Sequence, residues 1–232
     1  MASAGAQCIR DRFEQRIQAG EFPCVGAKSA LARKTLDFVV GGDLRDASHD
    51  AMLLRELQDF AARQPGDAVF VSRIVLFPET PWLSEGEFES ALWRRLQALH
   101  VLDQTDHAWD RAVSDDPGSP HFSMSLGGRA FYVIGLHPNA SRPARRFECA
   151  ALVFNLHSQF EQLRADDRYD KLRESILARD ESFSGSRNPM LAVHGEQSEA
   201  RQYSGRRVSG DWRCPFEPVR PADRAGAPRD AH

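Results

Sequence analysis

The stretch FSMSLGGRAFYVIGL, residues 122–136, decides the fold. Two apolar runs, Phe122 to Leu126 and Ala130 to Leu136, flank Gly127-Gly128. A glycine pair between β-prone runs signals a hairpin, because both central positions can take positive φ without a Cβ clash. Downstream, CAALVF at 149–154 reads as another apolar strand. Helices marked by Phe160 and Leu163, then by Tyr169, Leu172 and Ile176, follow it.

Upstream, Val69 to Phe77 is apolar apart from Ser72 and Arg73, and Leu36 to Val40 is a shorter strand closed by Gly41-Gly42. Helical spacing appears three times: at Ile9, Phe13 and Ile17; at Leu53, Leu54, Leu57, Phe60 and Ala61, with Ser48 as cap; and at Phe88, Leu92, Leu96 and Leu99. Ser84 and Glu87 ahead of the last set form a capping box. Glu21 to Ala27, with Pro23 and Gly26, reads as a loop, and Asp103 to Pro120 is turn-rich with Trp109 as its apolar anchor. Strands alternating with helices, plus one hairpin, predict an α+β fold. It is a single domain over residues 1–216, a mixed sheet with a hairpin packed by helices, in two layers. From Asp180 to Phe216 periodicity fades, while Met190, Leu191, Trp212 and Phe216 favour order. That segment reads as a long ordered C-terminal covering loop, and 217–232 as a flexible tail.

The 232 residues are 41% hydrophobic and 27% charged, a globular composition. The formal charge of −3 argues against a strongly basic nucleic-acid binder. No apolar run approaches the roughly 18–20 residues of a membrane span. Arg10, Asp11, Arg12, Glu14 and Arg16 rule out a signal peptide at the start. Cys8, Cys24, Cys149 and Cys214 form no CxxC pair, so neither structural zinc nor a disulfide framework is implied. The expectation is a cytoplasmic protein with reduced thiols and no nucleic-acid or membrane partner.

Phosphate-loop, dinucleotide, nucleophile-elbow and zinc-protease motifs are all missing from the sequence. What remains is a set of weaker constellations. His137 ends a strand and is followed by Arg142, Arg145 and Arg146, which suits a haem with its carboxylates or, more plainly, a loop histidine beside a solvated basic run. His157 begins a helix with Glu161 one turn on, which suits a metal ligand with a carboxylate behind it or a capping histidine. Cys214, in WRCPF, is either a thiolate ligand or a buried structural cysteine. Glu196, Glu199 and Arg201 crowd one loop and could hold a cationic substrate; a solvated loop would look the same.

Longer strings carry more information. They are FPCVGAKSAL at 22–31, LFPE at 76–79, SLGGRAFYVIGLHPNASRPARRF at 125–147, VFNLHSQFEQLR at 153–164, RNPML at 187–191, GEQSEARQYSGR at 195–206 and WRCPF at 212–216. In these the chain resembles the YqcI/YcgG family, over most of its length. The resemblance implies a haem-dependent monooxygenase, an N-hydroxylase of guanidino groups in arginine-like amino acids. It acts in natural-product biosynthesis such as that of D-cycloserine and guanitoxin. Haem b would be the cofactor, with iron held by His157 or His137 and with Arg142, Arg145 and Arg146 on the propionates. His157 is favoured as the proximal ligand, with His137 near a propionate or on the distal side. Glu196 and Glu199 would serve as catalytic and substrate-binding carboxylates, and Arg201 would meet the substrate carboxylate. Free L-arginine or an analogue, dioxygen or peroxide, a redox partner and a second copy in a homodimer are the expected partners. The family pattern commonly has an acidic residue where this chain has Val193. The alternatives are a non-catalytic haem-binding or sensor module, or a haem N-oxygenase acting on another amine.

Overall fold

A computed structural model describes residues 4–190 and 195–219. Its helices are α1 (Ala4–Gln18), α2 (Val25–Ala32), α3 (Asp50–Arg63), α4 (Glu85–Asp103), α5 (His157–Ala165), α6 (Tyr169–Ser184) and α7 (Ala200–Tyr203). Its strands are β1 (Leu36–Val40), β2 (Ser72–Phe77), β3 (Met124–Leu126), β4 (Arg129–Leu136) and β5 (Ala150–Leu156). The strands form one mixed sheet in the order β1-β2-β5-β4-β3. The β1–β2 pair is parallel and the others are antiparallel, so the expected α+β mixed sheet with its hairpin is present. Gly127 and Gly128 take φ of 62° and 67°, as the tight turn requires.

Strand periodicity of two divides the sheet into two apolar faces. One face carries Val39, Val75, Phe77, Phe131, Val133, Leu152 and Phe154, and packs on α3 and α4 through Leu53, Leu57, Phe60, Phe88, Leu92 and Leu96. The other carries Ile74, Leu76, Leu136 and Ala151, and packs on α1 through Ile9, Phe13 and Ile17. Ala30 of α2 and Leu163 of α5 close over Phe70 beside it. Helices therefore lie on both faces, and the expected two layers are corrected to three. The fully buried strand β2, apolar on both sides, is what such a double cover demands.

Three local readings change as well. Glu21 to Ala27 is not all loop: α2 begins at Val25, because the Cys24 thiol caps it by accepting the Ala27 N–H at 3.4 Å. Ser48 does not cap α3. Asp46 instead accepts the Ser48 N–H at 2.9 Å and opens a short 3₁₀ turn, after which α3 starts at Asp50. The strand expected from Val69 starts at Ser72, since Phe70 holds φ at 60° and breaks extended structure. The capping box is formed on both sides, Ser84 accepting from the Glu87 N–H and Glu87 from the Ser84 N–H.

The C-terminal segment covers the α4 side. Phe216, Trp212 and Tyr203 join Trp93, Trp109 and Phe122 in one aromatic cluster, with Trp93 and Tyr203 stacked at 5.4 Å. Past it, Glu217 and Val219 hydrogen-bond to Gln97 and His100 of α4. The rest of the expected tail, 220–232, lies outside the described residues.

Candidate functional site

On the α1 and α2 side, the two inner strands β4 and β5 place Tyr132 opposite Asn155 and Ile134 opposite Val153. All four are only half-buried. Val153 and Asn155 lie on β5, between β2 and β4, whereas Tyr132 and Ile134 lie on the stretch of β4 past its pairing with β3. The cover on this face therefore leaves these four side chains in part accessible. Half-buried Cys24, Ala27 and Leu31 of the α2 region pack on the same apolar cluster as Ile134 and Val153. Toward one end this face is polar. There the Tyr132 hydroxyl donates to Gln202 Oε1 at 3.0 Å and accepts from Arg145, and Asn155 Oδ1 accepts from the Ser72 hydroxyl at 2.7 Å.

His157 stands at this polar end, on the first turn of α5. Its Nε2 lies 3.2 Å from Glu161 Oε1, and Arg164 pairs with the same carboxylate. Its Nδ1 lies 3.1 Å from the Ser123 hydroxyl, which also bonds to the Tyr203 hydroxyl. Tyr203 in turn donates to the Phe131 carbonyl at 3.1 Å and accepts from the Met124 N–H at 3.2 Å, bridging β3 and β4. Burial pushes the pKa of both Tyr132 and Tyr203 up, keeping the phenols protonated, and the nearby Glu199 carboxylate pushes it further. The Glu199 carboxylate thus stands near both phenols.

His137 is elsewhere. Its ring, 2% exposed, stacks on Phe88 of α4 at 4.3 Å, and Nδ1 is buried without a hydrogen-bond partner. Desolvation pushes its pKa down to about 4, so the imidazole is neutral. Leu156 pairs with Phe131, which sets His157 level with residue 130 of the antiparallel neighbour. His137 is seven residues further along β4. At about 3.3 Å per residue their backbone positions stand about 23 Å apart along the sheet. They cannot serve one iron. The expectation that His137 lines the distal side of a group held by His157 is corrected on that ground.

The three arginines proposed for propionates are all engaged by the chain. Arg142 pairs with Asp180 and donates to the Ser186 carbonyl at 2.7 Å. Arg146 donates to the carbonyls of Ala140 and Ser141. Arg145 donates to the carbonyls of Gly135, Gln202 and Tyr203 and to Tyr132. Glu196 and Arg201 lie apart from Glu199. They line an open pocket of about 560 Å³ with Asp116, Trp212, Arg213 and Cys214. There Arg201 donates to the Ser209 carbonyl at 2.5 Å and lies over the Trp212 ring. Burial pushes the Cys214 thiol up to about 12. Val193 and His194 lie outside the described residues.

A haem iron takes four ligands from its macrocycle and needs the protein only for an axial position. No group of three or more His, Cys, Asp or Glu among the described residues could hold a bare metal ion. His157 has the carboxylate-held ring an axial imidazole needs, and iron at Nδ1 would take the place of the Ser123 hydroxyl now 3.1 Å from it. His137 fits less well, because Phe88 stacks on it inside the packed α4 face. The donor set thus fits an axial ligand at His157, but not propionate salt bridges from Arg142 or Arg146. Tyr132, Gln202, Tyr203 and Ser123 carry no recognisable motif, and each matters through partners distant in sequence. Only the spacing of His157 and Glu161 signals the site locally.

In comparisons with known proteins, a family model, that of the YqcI/YcgG family, matches residues 13–217. No curated protein and no solved structure matches the chain.

Proposed function

The chain belongs to the YqcI/YcgG family, and from that premise we propose that it is a haem-dependent monooxygenase that N-hydroxylates the guanidino group of free L-arginine or a close analogue. One observation carries the reading. An imidazole oriented by Glu161 and Arg164 is linked through Ser123 to Tyr203, and a half-buried carboxylate, Glu199, acts on Tyr203 and Tyr132 beside the part-accessible Ile134 and Val153. Haem b, when bound, would supply the activation of dioxygen or peroxide.

The chain's own residues do the rest. His157 would hold the iron, and Glu161 would keep its ring fixed. Glu199 would bind the guanidinium by charge-assisted hydrogen bonds, which are stronger than neutral ones. Ile134 and Val153 would exclude water from the reacting nitrogen, and Tyr132, its proton committed to Gln202, would offer an acceptor to a guanidinium N–H. Glu196 and Arg201 line the outer pocket with opposite charges, which suit the α-amino and α-carboxylate groups of an amino acid.

The test is an absorbance spectrum of protein expressed with a haem precursor, with and without L-arginine. A Soret band that moves on adding arginine supports the reading. A band indifferent to arginine leaves a haem protein of another function, and colourless protein overturns the proposal. Exchanging His157 and His137 in turn for Ala locates the ligand: loss of haem with the first and retention with the second is expected.

A further inference from the structure

Arg145 is among the most heavily engaged side chains of the molecule, and a propionate ligand is not what its surroundings suggest. β3 pairs with β4 only from Arg129 to Phe131, so among the described residues the outer edge of β4 beyond that point has no neighbouring strand. The Arg145 guanidinium lies along this edge. It donates to the Gly135 carbonyl at 3.1 Å, the Tyr203 carbonyl at 3.4 Å and the Gln202 carbonyl at 3.1 Å, and also to the Tyr132 hydroxyl. Three of these four acceptors belong to α7 or to Tyr132. The backbone after α7 has been shaped to admit it: Gly205 has φ of 80°, and a Cβ there would lie 3.0 Å from Arg145 Cγ. Gln202, tied to Arg145 through its carbonyl, is tied again through its side chain to Tyr132. Glu199 is the N-cap residue of the same single-turn helix.

We propose that Arg145 is a positioning residue: it clamps α7 against the bare edge of β4 and thereby sets where Glu199 and Tyr132 stand relative to one another. The inference rests on the reading that Glu199 holds the substrate, but the clamp itself can be measured without that reading. A lysine keeps the charge and loses the planar fork that reaches several carbonyls together.

The experiment compares wild type with Arg145→Lys by hydrogen exchange, haem content and steady-state kinetics with L-arginine. In the variant, amides of residues 198–206 are expected to exchange about tenfold faster, the scale of one or two lost hydrogen bonds. Amides of β5 keep their rates and haem content is unchanged. KM for arginine rises about tenfold, with kcat within about threefold, because an interaction that orients bound substrate has been loosened. Unchanged exchange at 198–206 overturns the clamp, most plainly if haem is lost, for Arg145 then serves the cofactor. Faster exchange throughout β4, β5 and 198–206 together also overturns it, since that is a general loss of stability. If wild type shows no response to arginine, the proposed function falls while the exchange comparison still decides the clamp. Should Arg145→Lys not fold, Arg145→Gln, which drops the buried charge and keeps an amide donor, decides by the same exchange criterion.

Discussion

Replacing Gly135 by Ala tests the packing that separates the two histidine environments. Gly135 sits in β4 facing α4, and a Cβ there would lie 2.7 Å from Phe88 Cε1, 2.9 Å from Phe88 Cζ and 2.9 Å from Leu92 Cδ1. Carbon atoms in contact prefer about 3.5–4.0 Å. The methyl therefore overlaps its neighbours by most of an ångström. Phe88 and Leu92 are fully buried, and the Phe88 ring is backed by His137 at 4.3 Å, so little can yield. Overpacking of this kind costs about 1–3 kcal/mol, and this site belongs near the top of that range. Removing the flexible glycine from a strand returns about 0.5–1 kcal/mol. The net is a loss of about 2 kcal/mol, or a fall in Tm of about 4–8 °C for a chain of this length. Urea and thermal unfolding would measure it, and the double variant with Phe88→Leu should recover part of the loss by making room. An unchanged urea midpoint at unchanged m-value would refute the reasoning, because it would mean that α4 is not held against β4 at this point.

His137 gives a pH prediction with a definite sign. Its folded pKa of about 4 lies below the ordinary 6.5, so above pH 6.5 the ring is neutral in both states and costs nothing. As pH falls, the unfolded chain takes up the proton first, and stability drops between pH 6.5 and 4 by about 3 kcal/mol, at about 1.4 kcal/mol per pH unit. His137→Gln should flatten that part of the wild-type curve, and parallel curves would exclude His137 as its source. Tyr203→Phe removes the hydroxyl that links the Phe131 carbonyl to the Met124 N–H, and should cost about 1–3 kcal/mol in urea unfolding by stranding buried backbone groups; a neutral result would mean that β3 and β4 close without it. Glu199→Gln should raise KM for arginine at least about tenfold through loss of a charge-assisted bond, and unchanged kinetics would take Glu199 out of the substrate contacts.

What the sequence reveals depends on whether a signal is local. The hairpin at 122–136 and the capping box at Ser84 are written in adjacent residues, and both form as read. The start of α2 is hidden because Pro23 and Gly26 look like breakers, while the group that rescues the helix is a thiol, an unusual cap. α6 runs on to Ser184 although its last turn has lost apolar periodicity; Asp180 holds that turn through Arg142, and Gly185 closes it at φ of 73°. At the site, His157 and Glu161 are legible as an i, i+4 pair, and they do meet. Tyr132 is not legible, since Gln202 lies 70 positions away in sequence. Nor can the separation of His137 from His157 be read beforehand, because it follows from a strand register that only the folded sheet defines.

The unpaired stretch of β4 has one more consequence. A strand with open carbonyls and no neighbour invites a sixth strand, from another molecule if none is at hand. Here one side chain occupies that vacancy: the Arg145 donors sit where a foreign backbone would bring its amides. A guanidinium thus does the work of a missing strand. Whatever loosens it would give the protein a tendency to self-associate through β4, so that solubility and substrate affinity would decline together.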